Sequence, residues 1–139
     1  MNLFLDSSVL VAASASATGA SRQIFERSAN NRWILVAIPY VAEEVQRNLL
    51  KFPPEAAREW SKLRILLNIK KNVLTIPNPV VFSAAKDRPV LLSALAHADV
   101  LLTLDRADFL GVLGRQFYGM NIMTPGDFLQ RERERGILL

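Results

Sequence analysis

Cysteine is absent from the 139 residues, and histidine occurs only once. The chain therefore offers neither disulfides nor a cysteine-ligated zinc site. It also lacks any run of about 18 apolar residues, so we expect no membrane span. Residues 1–6 have neither the basic start nor the long apolar segment of a secretory signal. These absences together favour a cytoplasmic protein.

The size and apolar content of the chain are those of one globular domain. Half of its residues are hydrophobic, which suffices for a core and argues against intrinsic disorder. No repeat, low-complexity segment or long linker divides the sequence, so we expect a single domain over residues 1–139. The net charge of +4 gives weak support for a polyanionic partner, because charges of both signs are interspersed.

Apolar runs alternate with helical patterns along the chain. The runs predict strands at residues 3–5, 33–38, 73–76, 100–104 and 120–123. Helices are predicted at residues 9–17, 21–31, 39–50, 55–68 and 87–96, and a last helix begins at Thr124, a capping residue followed by Pro125. This alternation indicates a parallel sheet with helices on both faces.

Four acidic residues fall beside the predicted strand ends. Asp6 and Asp105 directly follow strands, Glu44 lies in the helix after the second strand, and Asp87 begins the helix before the strand at 100–104. Ligands of open parallel sheets bind at the carboxyl ends of the strands, where these side chains would converge. Taken singly, each acid is equally well explained as a helix cap or a solvated helix residue.

Converging carboxylates need a cation. Two like charges about 4 Å apart repel by about 4 kcal/mol at an effective dielectric constant of about 20. An oxygen-only ligand set suits Mg²⁺ or Mn²⁺ rather than zinc. Divalent ions held by carboxylates serve the attack of water on a phosphodiester. The pattern therefore favours a metal-dependent nuclease.

Three segments resemble the PIN-domain family. Residues 3–10 (LFLDSSVL) are similar to its opening strand and first acid, and residues 87–105 to its third acid, helix, strand and closing T-x-D. Residues 122–129 (IMTPGDFL) resemble the closing strand and helix start of a bacterial subgroup, the VapC-like ribonucleases described as toxins of toxin–antitoxin pairs. The resemblance covers essentially the whole chain.

The resemblance implies a three-layer α/β/α PIN-like fold with a central parallel sheet of four to five strands. It implies an endoribonuclease that hydrolyses single-stranded RNA with Mg²⁺ or Mn²⁺, and an antitoxin protein as a possible partner. The catalytic and metal-binding acids that it assigns are Asp6, Glu44, Asp87 and Asp105. Glu43 is the alternative to Glu44. Ser8 and Thr103 match supporting polar positions, and Asp108 is an additional acid that could share the metal.

Two other functions compete with this interpretation. One is a non-catalytic PIN-like module that binds RNA or protein. The other is a phosphatase of the haloacid-dehalogenase type, which is disfavoured because Ser8 stands where that chemistry needs a second Asp.

Two further features concern partners. The apolar residues Trp60, Leu63, Leu66 and Leu67 suggest a homodimer, although they would equally serve as core. Positive charge is concentrated in the middle of the chain and forms either a solvated face or an RNA track. The residues concerned are Arg47, Lys51, Arg58, Lys62, Arg64, Lys70 and Lys71, with Arg22 as a further candidate.

Overall fold

The computed structural model of the protein describes residues 1–73, 88–106, 109 and 113–139. Its strands are β1 (Asn2–Leu5), β2 (Ile34–Ala37), β3 (Asn68–Ile69), β4 (Val100–Leu102), β5 (Gln116–Phe117) and β6 (Met120–Met123). Its helices are α1 (Ser7–Ala15), α2 (Ala20–Asn31), α3 (Pro39–Leu49), α4 (Pro54–Leu63), α5 (Arg88–His97) and α6 (Pro125–Glu134). The strands form one sheet in the order β3-β2-β1-β4-β6-β5.

Strand β1 is the centre of the sheet and of the core. It pairs in parallel with β2 on one side and β4 on the other, so that Phe4 lies between Val36 and Leu101. Leu3, Phe4 and Leu5 are all fully buried. Because successive side chains of a strand point to opposite faces, both faces of the sheet are covered here. The parallel sheet flanked by helices that the sequence predicts is confirmed.

Helices α1 and α6 begin at capping side chains. Asp6 caps α1 by accepting a hydrogen bond from the Ser7 amide, and the Thr124 hydroxyl caps α6 by accepting from the Asp127 amide. Helix α1 packs against α2, α3 and α4, and α5 packs against β1 and β4. In the described part of the chain, no helix has the length and apolar character needed to cross a membrane.

Two short strands were not foreseen. The helix predicted at residues 55–68 ends earlier, because α4 and a 3-10 turn (Arg64–Leu66) are followed by the edge strand β3. Strand β5 forms an antiparallel hairpin with β6, whose turn places Tyr118 and Gly119 at positive φ angles of 50° and 84°. Within the described residues the sheet therefore has six strands, of which β5 is antiparallel. The strand predicted at 73–76 lies, apart from Val73, outside the described residues.

The apolar residues that suggested a dimer serve mainly the core. Trp60 and Leu63 are buried within their own chain, and Leu67 packs against the core from a partly buried position. Leu66 is 58% exposed, and its neighbour Ile65 is 80% exposed. Any dimer surface in this region would therefore involve the 3-10 turn rather than the inner face of α4.

The dependence of stability on the central strands can be tested with Leu101→Ala. Leu101 is fully buried in β4, so truncation should lower the free energy of unfolding by about 2–5 kcal/mol. Leu50→Ala is the matched control, because Leu50 is 86% exposed and its loss should change stability by no more than about 0.5 kcal/mol. Chemical denaturation measures both. Similar losses for the two variants would contradict the described core.

Candidate active site

Asp6 lies at the middle of the carboxyl edge of the sheet. Its amide donates a hydrogen bond to the Leu102 carbonyl oxygen at 3.0 Å, which extends the pairing of β1 with β4 by one residue. The Thr103 amide similarly donates to the Met123 carbonyl oxygen at 3.0 Å. The loops that follow β1 and β4 therefore leave the sheet side by side. This places Asp6 beside Thr103, although 97 residues separate them in sequence.

Three donors surround the Asp6 carboxylate, which is only 4% exposed. Its Oδ1 accepts from the Ser7 amide at 2.8 Å, and its Oδ2 accepts from the hydroxyls of Thr103 at 2.8 Å and Ser8 at 3.2 Å. Each hydroxyl also accepts an amide: Ser8 from Leu104 and Thr103 from Asp105, both at 3.0 Å. Since these amides occupy hydroxyl lone pairs, the hydroxyl protons remain directed at Asp6.

The electrostatics of Asp6 are dominated by its burial. The pKa of Asp6 is raised from 3.8 to about 6, chiefly by desolvation and also by the nearby charge of Glu44, although the hydrogen bonds from Thr103, Ser7 and Ser8 act in the opposite direction. The anionic form is thus held in place by its donors but carries a net electrostatic penalty. A cation beside Asp6 would remove that penalty.

Glu44, rather than Glu43, faces the Asp6 loop. Glu44 is half-buried on α3, and its Oε2 accepts a hydrogen bond from the Ser7 hydroxyl at 3.2 Å. Glu43 is exposed and borders a different, shallow pocket. The other residues that line this pocket are Pro39, Ala42, Gln46, Arg64 and Ile69. The structure therefore brings Glu44, and not Glu43, towards Asp6.

Of the remaining predicted acids, only Asp105 is among the described residues. Asp105 is half-buried just beyond β4, and its amide belongs to the hydrogen-bonded network around Asp6. Asp87 and Asp108 lie outside the described residues. Across residues 1–73, 88–106, 109 and 113–139, no three His, Asp or Glu side chains are grouped closely enough to hold a metal ion. The described site is thus the pair Asp6 and Glu44 with the supporting hydroxyls.

Ser7 is the site residue that the sequence analysis missed. Its amide contacts Asp6 and its hydroxyl contacts Glu44, so it bridges the two acids. The available signal was the tandem Ser7-Ser8 directly after Asp6. Only Ser8 matched a family position. Serine is common at helix starts in general, so Ser7 carried no functional signal of its own.

Several of the basic residues considered for RNA binding contact other side chains or carbonyl groups of the same chain. Arg22 donates to Glu59 and to the Ala13 carbonyl oxygen, both at 3.0 Å, which gives it a structural role. On α4, Arg58 pairs with Glu55 and Lys62 with Glu59, and the Arg64 guanidinium lies 5.9 Å from the centre of the Trp60 ring. Exposed ion pairs of this kind contribute little to stability.

The oxygen donors of this site fit a hard divalent cation. Asp6 and Glu44 offer carboxylate oxygens, and the neighbouring Ser and Thr hydroxyls orient them. Mg²⁺ and Mn²⁺ prefer carboxylate oxygen, and Mg²⁺ commonly uses one or two protein carboxylates together with water and substrate phosphate. The arrangement can therefore hold such an ion, with Asp105 as a further candidate ligand.

The fold is shared with a chain of a solved protein–DNA complex. A chain in the crystal structure of VapBC2 from Rickettsia felis bound to a DNA fragment from their promoter matches with a TM-score of 0.58 and 18% identity, over 88% of this chain and 97% of that chain. No family model and no curated protein matches the sequence. At this identity the likeness shows a PIN-like α/β/α fold and does not extend to activity.

The raised pKa of Asp6 predicts a pH dependence of stability without metal. Between pH 4 and about 6 the folded state binds the Asp6 proton and the unfolded state does not, so stability falls as pH rises through this window. The shift to about 6 corresponds to roughly 3 kcal/mol. We expect the difference in unfolding free energy between Asp6→Asn and the natural protein to grow by that amount, measured by denaturation in EDTA.

The comparison of the two proteins isolates Asp6 from other titrating groups. Asparagine is similar in size, and whatever constant offset its amide introduces does not vary with pH. A difference that stays constant from pH 4 to 7 would show that the Asp6 carboxylate is not desolvated in the folded protein.

Proposed function

We propose that the protein is a Mg²⁺- or Mn²⁺-dependent endoribonuclease that hydrolyses single-stranded RNA and acts as the toxin of a toxin–antitoxin pair. The observation that carries this proposal is the buried, triply hydrogen-bonded Asp6 carboxylate beside Glu44 at the carboxyl edge of a PIN-like sheet. A structural helix cap needs only one acceptor oxygen, which Oδ1 provides. A cap does not require the two hydroxyl donors on Oδ2 or the nearby second acid, Glu44.

The proposed ion would be held by Asp6 and Glu44, with Asp105 and Asp87 as the further ligands that the sequence resemblance assigns. When bound, it would activate water as the nucleophile and offset negative charge on the scissile phosphate. The support for this assignment is the oxygen-only donor set and the penalty that the buried Asp6 charge carries without a cation.

The residues of the chain provide orientation around the acids. Ser8 on α1 and Thr103 after β4 both donate to Asp6, and each hydroxyl is fixed by an amide of the loop after β4. These contacts lock the carboxylate rotamer, so little reorganisation is needed when substrate binds. Helix α3 presents Glu44 to the same position. The edge remains accessible, because Glu44 and Asp105 are only half-buried.

Positive charge at the same edge supports an RNA substrate. Lys70 and Lys71 directly follow β3, and Arg106 follows Asp105 after β4. Because β3 and β4 are parallel to β1, these residues leave the sheet at the edge that carries Asp6. Cations on both sides of an acidic site suit a phosphate backbone that passes across it.

An antitoxin partner is proposed from the shared fold. The matching structure is that of VapBC2 bound to a DNA fragment from their promoter, and we extend this likeness of fold to an antitoxin partner for the present chain. The proposed partner would cover the crevice around Asp6 and Glu44, and the pair would act in the cytoplasm, where RNA substrates are present.

The metal-dependent function is tested with Asp6→Asn, Glu44→Gln and the matched control Glu43→Gln. We expect Asp6→Asn and Glu44→Gln to reduce cleavage of single-stranded RNA with Mn²⁺ by more than roughly 100-fold, because each removes an anionic ligand. Glu43→Gln should cleave within about twofold of the natural protein, since Glu43 is exposed and borders another pocket. Titration calorimetry should show the same pattern in Mn²⁺ affinity, which should be weakened in Asp6→Asn and Glu44→Gln and natural in Glu43→Gln.

Two results would contradict the proposal. One is a natural protein that neither binds Mn²⁺ nor cleaves RNA, which would favour a non-catalytic PIN-like module. The other is natural activity in both Glu44→Gln and Glu43→Gln. A large loss in Glu43→Gln together with an unaffected Glu44→Gln would exchange the roles of the two glutamates.

We also propose a homodimer that uses the exposed Ile65 and Leu66. Multi-angle light scattering at micromolar concentration should give twice the 15.5 kDa mass of one chain. Leu66→Lys should shift the mass towards one chain, because a charge buried without a partner opposes association. Leu139→Lys is the control, since Leu139 is also exposed (70%) but its backbone is hydrogen-bonded to Arg27 and Asn31 of α2. A monomeric natural protein would remove this part of the proposal.

A further inference from the structure

Ser7 joins the two acids of the proposed site. It is the first residue of α1 and is buried, with 7% of its surface exposed. Its amide donates to Asp6 Oδ1 at 2.8 Å, and its hydroxyl donates to Glu44 Oε2 at 3.2 Å. One residue therefore contacts one carboxylate through its backbone and the other through its side chain.

The two acids differ in how firmly they are held. Asp6 has a short side chain and accepts from three residues. Glu44 has a longer side chain with more rotamers, is half-buried, and is repelled by the charge of Asp6. Without a restraint, the Glu44 side chain would lower its free energy by turning towards solvent, where its charge is hydrated and farther from Asp6. The hydrogen bond from the Ser7 hydroxyl to its charged carboxylate opposes that movement.

We propose that Ser7 is a positioning residue, which holds the Glu44 carboxylate beside Asp6 so that the pair is arranged for a divalent cation before the cation binds. This inference rests on the proposed metal-dependent function and deepens it, because it assigns a role to a residue other than the acids. Ser7 acts through Glu44 and contributes no ligand of its own. Its role resembles that of the outer residues that orient the ligands of metal sites in general.

The alternative is that Ser7 is only a buried residue at a helix start. Alanine is a good helix former, so in that case Ser7→Ala would change thermal stability slightly and leave Mn²⁺ affinity unchanged. Metal affinity, rather than stability or activity alone, therefore separates the two roles.

The test is Mn²⁺ titration calorimetry on Ser7→Ala, with Ser14→Ala as the matched control. We expect Ser7→Ala to bind Mn²⁺ about 10-fold more weakly. Ser14 is also a buried serine of α1, but its hydroxyl donates to the Leu10 carbonyl oxygen of the same helix, so its variant should keep the natural affinity. Ser7→Thr, which keeps a hydroxyl, should bind more tightly than Ser7→Val, which has the same shape without it. This second pair serves if the alanine variant folds poorly.

A double-variant cycle identifies the route of the effect. If Ser7 acts through Glu44, Ser7→Ala combined with Glu44→Gln should bind Mn²⁺ no more weakly than Glu44→Gln alone. Independent, multiplying losses would overturn the proposal, as would equal affinities of Ser7→Ala and the natural protein. A natural protein that binds no Mn²⁺ would overturn both this inference and the proposed function, whereas normal binding by Ser7→Ala would overturn only the inference.

Discussion

The parallel pairing of β1 with both of its neighbours is the constraint on which the candidate site depends. Leu3, Phe4 and Leu5 are buried on both faces of the sheet, so β1 has no freedom to shift its register without exposing apolar surface. Asp6, which directly follows β1, therefore has a fixed position between the ends of β2 and β4. A carboxylate at that place is desolvated because the sheet and α1 enclose it.

Enclosure explains why hydroxyl groups accompany the acid. A buried carboxylate without donors would be costly, and the donors come from both sides of the edge: Ser7 and Ser8 from α1, and Thr103 from the loop after β4. Since Ser8 and Thr103 also accept amides of that loop, they join α1 to β4 as well as orienting Asp6. Stability and site geometry thus use the same contacts, and a substitution of either residue would affect both.

The fold alone would leave the function open. PIN-like α/β/α sheets, like other open sheets, bind ligands at the carboxyl edge of their strands whatever those ligands are. What distinguishes this edge is its chemistry, because two acids contact a shared serine there, and Lys70, Lys71 and Arg106 follow strands that end at the same edge. The proposed nuclease activity therefore rests on these side chains, and the shared fold explains why they meet.

Local sequence determined the elements whose signals are local. The apolar runs located β1, β2, β4 and β6, and Thr124 with Pro125 located the start of α6, because burial on both faces and helix capping leave patterns within a few residues. The positions of Asp6, Glu44 and Asp105 relative to those strands also followed from sequence. The two-residue strands β3 and β5 did not, since strands so short are defined by their partners rather than by their own pattern.

Only the tertiary structure decided between neighbouring residues. Glu43 and Glu44 are the same residue type at adjacent positions. The orientation of α3 on the sheet turns Glu44 towards Ser7 and leaves Glu43 exposed. The same packing assigned Trp60 and Leu63 to the core and joined Arg22 to Glu59. Sequence periodicity shows which residues share a helix face, but the partner of that face is fixed by contacts between segments far apart in the chain.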